Sequence, residues 1–116
     1  MQVDLLDAGT YTRVILSGLL DEGAKSAFDE HLHPIIEERG CRLLVDLSGV
    51  ERVSSAGLGH LVTLVSRANT KGNRVVLVSP TPFVRSVFHA TKLTRFFEIE
   101  ESVAKGIERL VSEPAS

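Results

Sequence analysis

One short segment of the sequence contains residues that could do chemistry: two adjacent serines and two glycines that follow them. Ser54 and Ser55 precede Gly57 and Gly59, an order expected where a loop enters a helix. Either hydroxyl can cap that helix by accepting hydrogen bonds from the free backbone N–H groups of its first turn. The glycines leave the backbone of this turn uncovered, so another molecule could approach it closely. Because a helix N-terminus stabilises negative charge, a hydroxyl here could carry a phosphate at little cost to the fold.

The same segment has one simpler interpretation and two enzymatic ones. The simpler interpretation is a plain N-cap, with glycines that fit a tight connection between a strand and a helix. A dinucleotide-binding loop is rejected because Val62 stands where the third glycine belongs after Gly57 and Gly59. A nucleophile elbow requires glycine two residues on each side of the serine, and Val53 occupies one of these positions around Ser55.

The histidines add neither a catalytic nor a metal-binding pattern. His60 follows Ser55 by five residues and lies on another face of the predicted helix, so it is poorly placed as a base and is interpreted as a surface polar residue. His31 and His33 are two residues apart on a predicted helix, so their side chains point to different faces and form no metal pair. We therefore expect no enzyme active site, no metal and no cofactor.

The elements that position the two serines include five predicted strands. Apolar runs bounded by turn residues place these strands at residues 2–6, 11–16, 42–47, 74–78 and about 96–99. A hairpin turn at residues 8–10 joins the first two, and Gly18 is expected to break the pattern after the second.

Four helices are predicted between and after these strands. They run from about residue 23 to a left-handed cap at Gly40, over residues 58–68, from Pro82 onward, and over about residues 102–111. Pro34 lies inside the first helix and is expected to kink it, because proline removes the hydrogen bond to residue 30. After the initial hairpin the order is strand and helix repeated. This order predicts an α/β fold with a largely parallel, mixed sheet that contains one antiparallel strand.

Size, charge and cysteine content exclude several classes of function. The 116 residues fit one domain, and a net charge of −2 is too balanced for binding nucleic acid or anionic lipid by bulk charge. No apolar run approaches the roughly 18 residues of a membrane span. Residues 1–7 contain acids and no basic residue, unlike a targeting peptide. Cys41, the single cysteine, is interpreted as an apolar filler, and the expected compartment is the reducing cytoplasm.

The sequence also resembles a known protein family. Asp-Leu-Ser at residues 46–48, the apolar Val50, and Val-Ser-Ser-Ala-Gly-Leu at residues 53–58 are similar to the signature of STAS domains, the anti-sigma factor antagonists of bacteria. Residues 16–21 and 79–99 match further parts of the family pattern, so the resemblance covers nearly the whole chain.

The resemblance implies a fold and a domain organisation. A single STAS-like domain is expected over residues 1–112, with residues 113–116 as a frayed tail. Its mixed sheet would have four or five strands, with about four helices mainly on one face. The resemblance implies no catalytic activity.

A phosphorylation site and its partners follow from the same resemblance. In the family, the serine directly before the Ser/Ala-Gly-Leu step is phosphorylated, and Ser55 occupies that position. The unmodified antagonist binds an anti-sigma factor, which is also a serine kinase with a histidine-kinase-like ATPase fold, and thereby frees a sigma factor. The phosphorylated form dissociates, and a PP2C-type phosphatase restores the unmodified form. Asp21 and Asp46 match acidic positions that flank this serine, although each could simply cap a helix or a loop.

The expected partner-binding surface surrounds Ser55. It comprises Leu19, Asp21, Glu22, Arg52, Val53, Ser54, Gly57, Leu58 and His60. Two of these residues depart from the family pattern, because Ser54 replaces an acid that often precedes the phosphorylated serine, and Leu19 replaces a frequent Glu or Asp. Leu19 therefore gives an apolar spot near the expected contact surface.

A second function remains open at this point. The chain could be a STAS scaffold subunit of a larger signalling assembly, in which Ser55 does not gate a sigma factor. The phosphorylation switch is expected to be a monomer or a weak dimer, whereas a scaffold is expected to form large assemblies.

Overall fold

A five-stranded mixed sheet forms the centre of the fold. The computed structural model describes residues 1–38 and 40–112. The strands are β1 (Gln2–Asp7), β2 (Thr12–Leu20), β3 (Arg42–Val53), β4 (Arg74–Val78) and β5 (Glu98–Glu100). They lie side by side in chain order, with β1 antiparallel to β2 and all later neighbours parallel. The predicted mixed sheet, parallel after an antiparallel hairpin, is confirmed.

Helices connect these strands. The first crossover is a helical segment, residues 22–36, and it contains a 3-10 turn (Glu22–Ala24), α1 (Lys25–Ala27), a π-helical turn (Phe28–Leu32) and α2 (His33–Ile36). The later helices are α3 (Ser55–Thr70), α4 (Pro82–Ala90) and α5 (Val103–Ser112), with a 3-10 turn at Leu93–Arg95. Within residues 1–38 and 40–112, no helix has the length and apolar character needed to cross a membrane.

Pro34 explains the irregular middle of the first helical segment. A proline has no N–H to donate to the carbonyl four residues earlier, so the regular hydrogen-bond ladder is interrupted there. The His33 N–H donates to the Phe28 carbonyl, five residues back, which makes this turn π-helical. A kink was predicted at Pro34; the structure shows a π-helical turn directly before α2, and the segment ends at Ile36, earlier than predicted. Gly40 has the predicted left-handed conformation, with φ of +77°.

The helices cover the two faces of the sheet unequally. Alternate strand residues point to opposite faces, and Leu43, Val45 and Leu47 of β3 pack in the larger core with the first helical segment, α3 and α4. Leu44 points to the other face and packs in a smaller cluster with Leu110 of α5. The helices therefore lie mainly on one face, as expected.

Both β2 and β3 extend further than the sequence predicted. Their pairing continues to Leu20 and Val53 through two register shifts, at each of which β3 carries one extra residue. Gly18, expected to end the second strand, instead lies within β2 with φ of +99°. The predicted third strand ended at residue 47 because a bulged strand loses the strict alternation by which strands are recognised. As a consequence, β2 and β3 end side by side, directly before the two serines.

Candidate functional site

Ser54 is the residue that caps helix α3. Its backbone is extended, and its Oγ accepts a hydrogen bond from the Gly57 N–H at 3.2 Å. The Ser54 N–H donates to the carbonyl of Leu20 at 3.0 Å, which joins the start of the helix to the end of β2. The sequence left the choice of cap between the two serines open, and the structure assigns it to Ser54.

Ser55 is the first residue of α3, and its side chain is exposed. Among the residues that the structure describes, its hydroxyl has no hydrogen-bond partner. The first turn of α3 contains no acidic residue of its own, and the N-terminus of a helix favours negative charge. The site thus presents a free hydroxyl at a position that favours added negative charge.

Gly57 and Leu58 do not present a surface to a partner. Gly57 is buried, and Leu58 is only 9% exposed. A Cβ atom on Gly57 would overlap the carbonyl of Leu20 and lie 2.8 Å from the backbone nitrogen of Asp21. The backbone that closely approaches Gly57 therefore belongs to the end of this chain's own β2. Because Gly57 and Leu58 are both buried, they do not belong to the expected partner surface. At Gly59, in contrast, a Cβ would meet nothing within 4 Å.

His60 is half-buried, which corrects its interpretation as a surface polar residue. Its ring lies with its centroid 6.1 Å from that of Phe28, on the first helical segment. Its Nε2 atom is enclosed and has no hydrogen-bond partner among residues 1–38 and 40–112. The structure therefore places His60 between α3 and the first helical segment, where its ring fills space.

Asp21 lies at the site and also serves as a cap. Its Oδ1 accepts a hydrogen bond from the Gly23 N–H at 2.9 Å, and this caps the 3-10 turn at the start of the first helical segment. The next residue, Glu22, is exposed. Because the Asp21 backbone also lies against Gly57, the capped turn and the start of α3 form one continuous edge.

Asp46, in contrast, lies far from Ser55. It is on β3, seven residues before Val53, a separation of about 20 Å along an extended strand. Its Oδ2 accepts a hydrogen bond from Arg13 at 2.9 Å, and its Oδ1 accepts one from the Ser48 N–H at 3.0 Å. Burial raises the pKa of Asp46, but the Ser48 hydrogen bonds and the Arg13 guanidinium outweigh it and hold the pKa below its ordinary value. The structure gives Asp46 a role within the sheet and does not bring it to the two serines.

A cavity of about 270 Å³ lies beside the capping serine. Its lining consists of Leu19, Asp21, Arg52, Val53, Ser54 and Phe83. Five of these residues were expected at the partner surface, and Phe83 was not. Phe83 is 48% exposed, whereas Val84 and Phe88 of α4 are fully buried. The signal in the sequence was that Val84, Val87 and Phe88 already complete a helical stripe, which leaves Phe83 as an extra apolar residue.

Comparison with known sequences identifies relatives of this chain. A family model described as STAS domain matches residues 7–106. A protein of Thermotoga neapolitana, named as an anti-sigma factor antagonist, is 30% identical over 86 residues, which are 74% of this chain and 73% of that protein.

Solved structures share the fold. An anti-sigma factor antagonist from Mycobacterium paratuberculosis superposes with a TM-score of 0.83 at 21% identity, over 94% of this chain and 92% of that chain. The Bacillus cell fate determinant SpoIIAA in its phosphorylated form has a TM-score of 0.71 at 18% identity, over 93% and 98%. A chain from the stressosome, described as a signal integration and transduction hub, has a TM-score of 0.73 at 23% identity, over 94% and 96%. With the sequence family matched over most of its length and the fold shared throughout, the chain belongs to the STAS domain family.

Proposed function

We propose that this chain is an anti-sigma factor antagonist that acts as a phosphorylation switch. Its unmodified form binds a serine-kinase anti-sigma factor with a histidine-kinase-like ATPase fold and so releases the target of that factor, typically a sigma factor. Phosphorylation of Ser55 ends the binding, and a PP2C-type phosphatase resets the switch. The protein acts by binding and carries no catalytic residues of its own.

The observation that carries this proposal is the difference between the two serines. Both residues are exposed, but the Ser54 hydroxyl accepts the capping hydrogen bond of α3, whereas the Ser55 hydroxyl has no partner among the described residues. A kinase that modified Ser54 would act on the hydroxyl that holds the Gly57 N–H and so would disturb a cap worth about 1 kcal/mol of stability. Modification of Ser55 leaves the cap in place and adds negative charge where the helix dipole stabilises it by about 0.3–1 kcal/mol. Ser55 is therefore the better phosphate acceptor.

Charge explains how phosphorylation would end binding. A phosphoserine carries about −1.5 to −2 charges and three acceptor oxygens, here at the centre of the proposed contact surface. Arg52 is the cation that lines the neighbouring cavity, and Asp21 places a carboxylate on the same lining. A poorly paired charge buried against a partner typically costs about 2–5 kcal/mol, which weakens affinity by about 30-fold to several thousand-fold. Bacillus SpoIIAA, which shares this fold, exists in a phosphorylated form.

Mass spectrometry tests the modified residue. We expect a purified anti-sigma serine kinase with ATP to add one phosphate to the wild-type chain and to Ser54→Ala, and none to Ser55→Ala. Ser54→Ala is the matched control because it keeps the neighbouring hydroxyl while it removes the cap. Phosphate on Ser54, or on a residue outside residues 53–60, would contradict the proposal.

A scaffold subunit of a larger signalling assembly is the second candidate function. The shared fold with a chain of the stressosome favours it. Size-exclusion chromatography separates the two candidates, because the switch predicts a small complex with one kinase and the scaffold predicts large self-assemblies.

A further inference from the structure

We infer that the cavity beside Ser54 receives an apolar side chain of the kinase, next to an acidic group of the kinase that pairs with Arg52. The inference rests on the proposed function and deepens it, because it names the chemistry by which the unmodified protein recognises its partner. The cavity lining, defined above, is called the anchor pocket below.

Two exposed apolar side chains line the anchor pocket. Leu19, near the end of β2, and Phe83, in the first turn of α4, line the same cavity although they are 64 positions apart in the sequence. Each is 48% exposed, so this apolar surface is removed from water only when another molecule covers it. Val53, half-buried at the end of β3, lines the same cavity. The lining is therefore suited to an apolar occupant.

The size of the pocket favours a single side chain. Its volume of about 270 Å³ lies below the range of about 300–1,000 Å³ that is usual for small-molecule sites. Protein interfaces commonly place a large apolar side chain of one partner in a pocket of this kind, near the centre of the contact.

Charge on the lining indicates the chemistry beside that anchor. Arg52 is exposed, and its guanidinium has no ion pair or hydrogen bond within the described part of the chain. Asp21 directs its carboxylate to its own backbone, at the Gly23 N–H. Arg52 is thus the charged group of the pocket that is free to pair with a partner, and a carboxylate complements it.

The position of the pocket connects it to the switch. Ser54 forms part of its wall, and Ser55 is the next residue. A phosphate on Ser55 would attract the same Arg52 and repel the acidic group of the kinase. Phosphorylation would therefore weaken the kinase contact at the anchor pocket as well as the contact at the first turn of α3.

Calorimetry with purified anti-sigma serine kinases of the histidine-kinase-like ATPase class tests the inference. We expect Leu19→Asn and Phe83→Asn each to weaken kinase binding by about 10-fold or more, the usual size of an anchor contact. Leu6→Asn is the matched control, because Leu6 is 58% exposed on β1 and lies outside the pocket, and we expect it to bind like the wild type. Arg52→Glu should weaken binding more than Arg52→Gln, since it places a repelling charge opposite the acid. Thermal unfolding of each variant confirms that it is folded.

The possible results separate this inference from the proposed function. If the wild type binds a kinase and Ser55→Asp does not, while both pocket variants bind normally, the switch stands and the anchor pocket is overturned. If the wild type forms dimers that Leu19→Asn and Phe83→Asn dissociate, the occupant is a second copy of this chain and the inference is also overturned. If no kinase binds the wild type, the proposed function fails and the inference fails with it.

Discussion

Gly57, in the first turn of α3, lies directly against the backbone carbonyl of Leu20 at the end of β2. No side chain fits between them, because a Cβ on Gly57 would overlap this carbonyl. The contact holds the start of α3 at the edge where β2 and β3 end, and it thereby fixes the position of Ser55. A glycine that could be interpreted as a place for a partner is instead a packing requirement of the fold.

This contact predicts opposite effects of alanine at two nearby glycines. We expect Gly57→Ala to lower the free energy of unfolding by about 1–3 kcal/mol, because the added methyl group forces α3 away from β2. Gly59→Ala should raise it by up to about 1 kcal/mol, since alanine favours a helix and the Cβ would meet no atom within 4 Å. Urea unfolding of both variants measures the difference. Equal stability of the two variants would contradict the contact.

Substitution of Ser55 tests the electrostatic basis of the switch. We expect Ser55→Ala to bind the kinase with wild-type affinity and to remain permanently active, because it adds no charge and the cap belongs to Ser54. Ser55→Asp should bind more weakly, although one carboxylate carries less charge than a phosphate. Calorimetry against the same kinase gives the three affinities. The same affinity for wild type, alanine and aspartate would indicate a STAS fold without a phosphorylation switch.

Asp46 should affect stability without affecting the switch. Asp46→Asn removes the charge that pairs with Arg13, which we expect to cost about 1–3 kcal/mol of unfolding free energy. Since the pKa of Asp46 is lowered in the folded protein, its contribution is present at neutral pH and is lost as pH falls below about 4. Phosphorylation of Ser55 should proceed at the wild-type rate. A large loss of phosphorylation in a folded Asp46→Asn variant would contradict this prediction and show that Asp46 takes part in the phosphorylation of Ser55.

His33 predicts a separate loss of stability in mildly acidic solution. Burial lowers its pKa, and Arg67 of α3 and Lys25 lower it further, against the opposing effect of Asp29 and Glu37. The folded protein therefore keeps His33 neutral at a pH where the unfolded chain, with a pKa of about 6.5, already binds the proton. The stabilisation is complete above this value and decreases as pH falls toward the lower pKa of the folded state.

Thermal unfolding between pH 7.5 and pH 5 measures this effect. We expect the melting temperature of the wild type to fall over this range and that of His33→Gln to fall less. His31→Gln is the control, because His31 is an exposed histidine of the same helical segment. A parallel decrease for wild type and His33→Gln would assign the pH dependence to other groups.

Local signals in the sequence predicted much of the fold. The order of strands and helices follows from apolar periodicity, and the start of α4 at Pro82 and the break near Pro34 follow from the missing proline N–H. The long β3 was not predicted, because its two bulges depend on pairing with β2, which no local pattern contains.

The candidate site was predictable in its location but not in its contacts. The serine pair and the capping chemistry follow from residue types, whereas the choice of Ser54 as cap depends on the distance to Leu20. The burial of Gly57 and His60 results from packing against elements far away in the sequence. The place of Phe83 at the site also depends on packing between distant elements, because only the folded chain brings the start of α4 and Leu19 to the same cavity.

The two bulges of β3 act as a compensating pair. Leu43, Val45 and Leu47 face the larger core at odd positions, the first bulge moves this face to Val50, and the second returns it to Val53. The core-facing residues of β3 thus have odd numbers before the first bulge, an even number between the two bulges, and an odd number again at Val53, directly before the serines. Each bulge absorbs one residue of β3 that has no counterpart in β2, so Val53 stays opposite Leu20 and Ser54 stays within reach of the Leu20 carbonyl, although this stretch contains two extra residues.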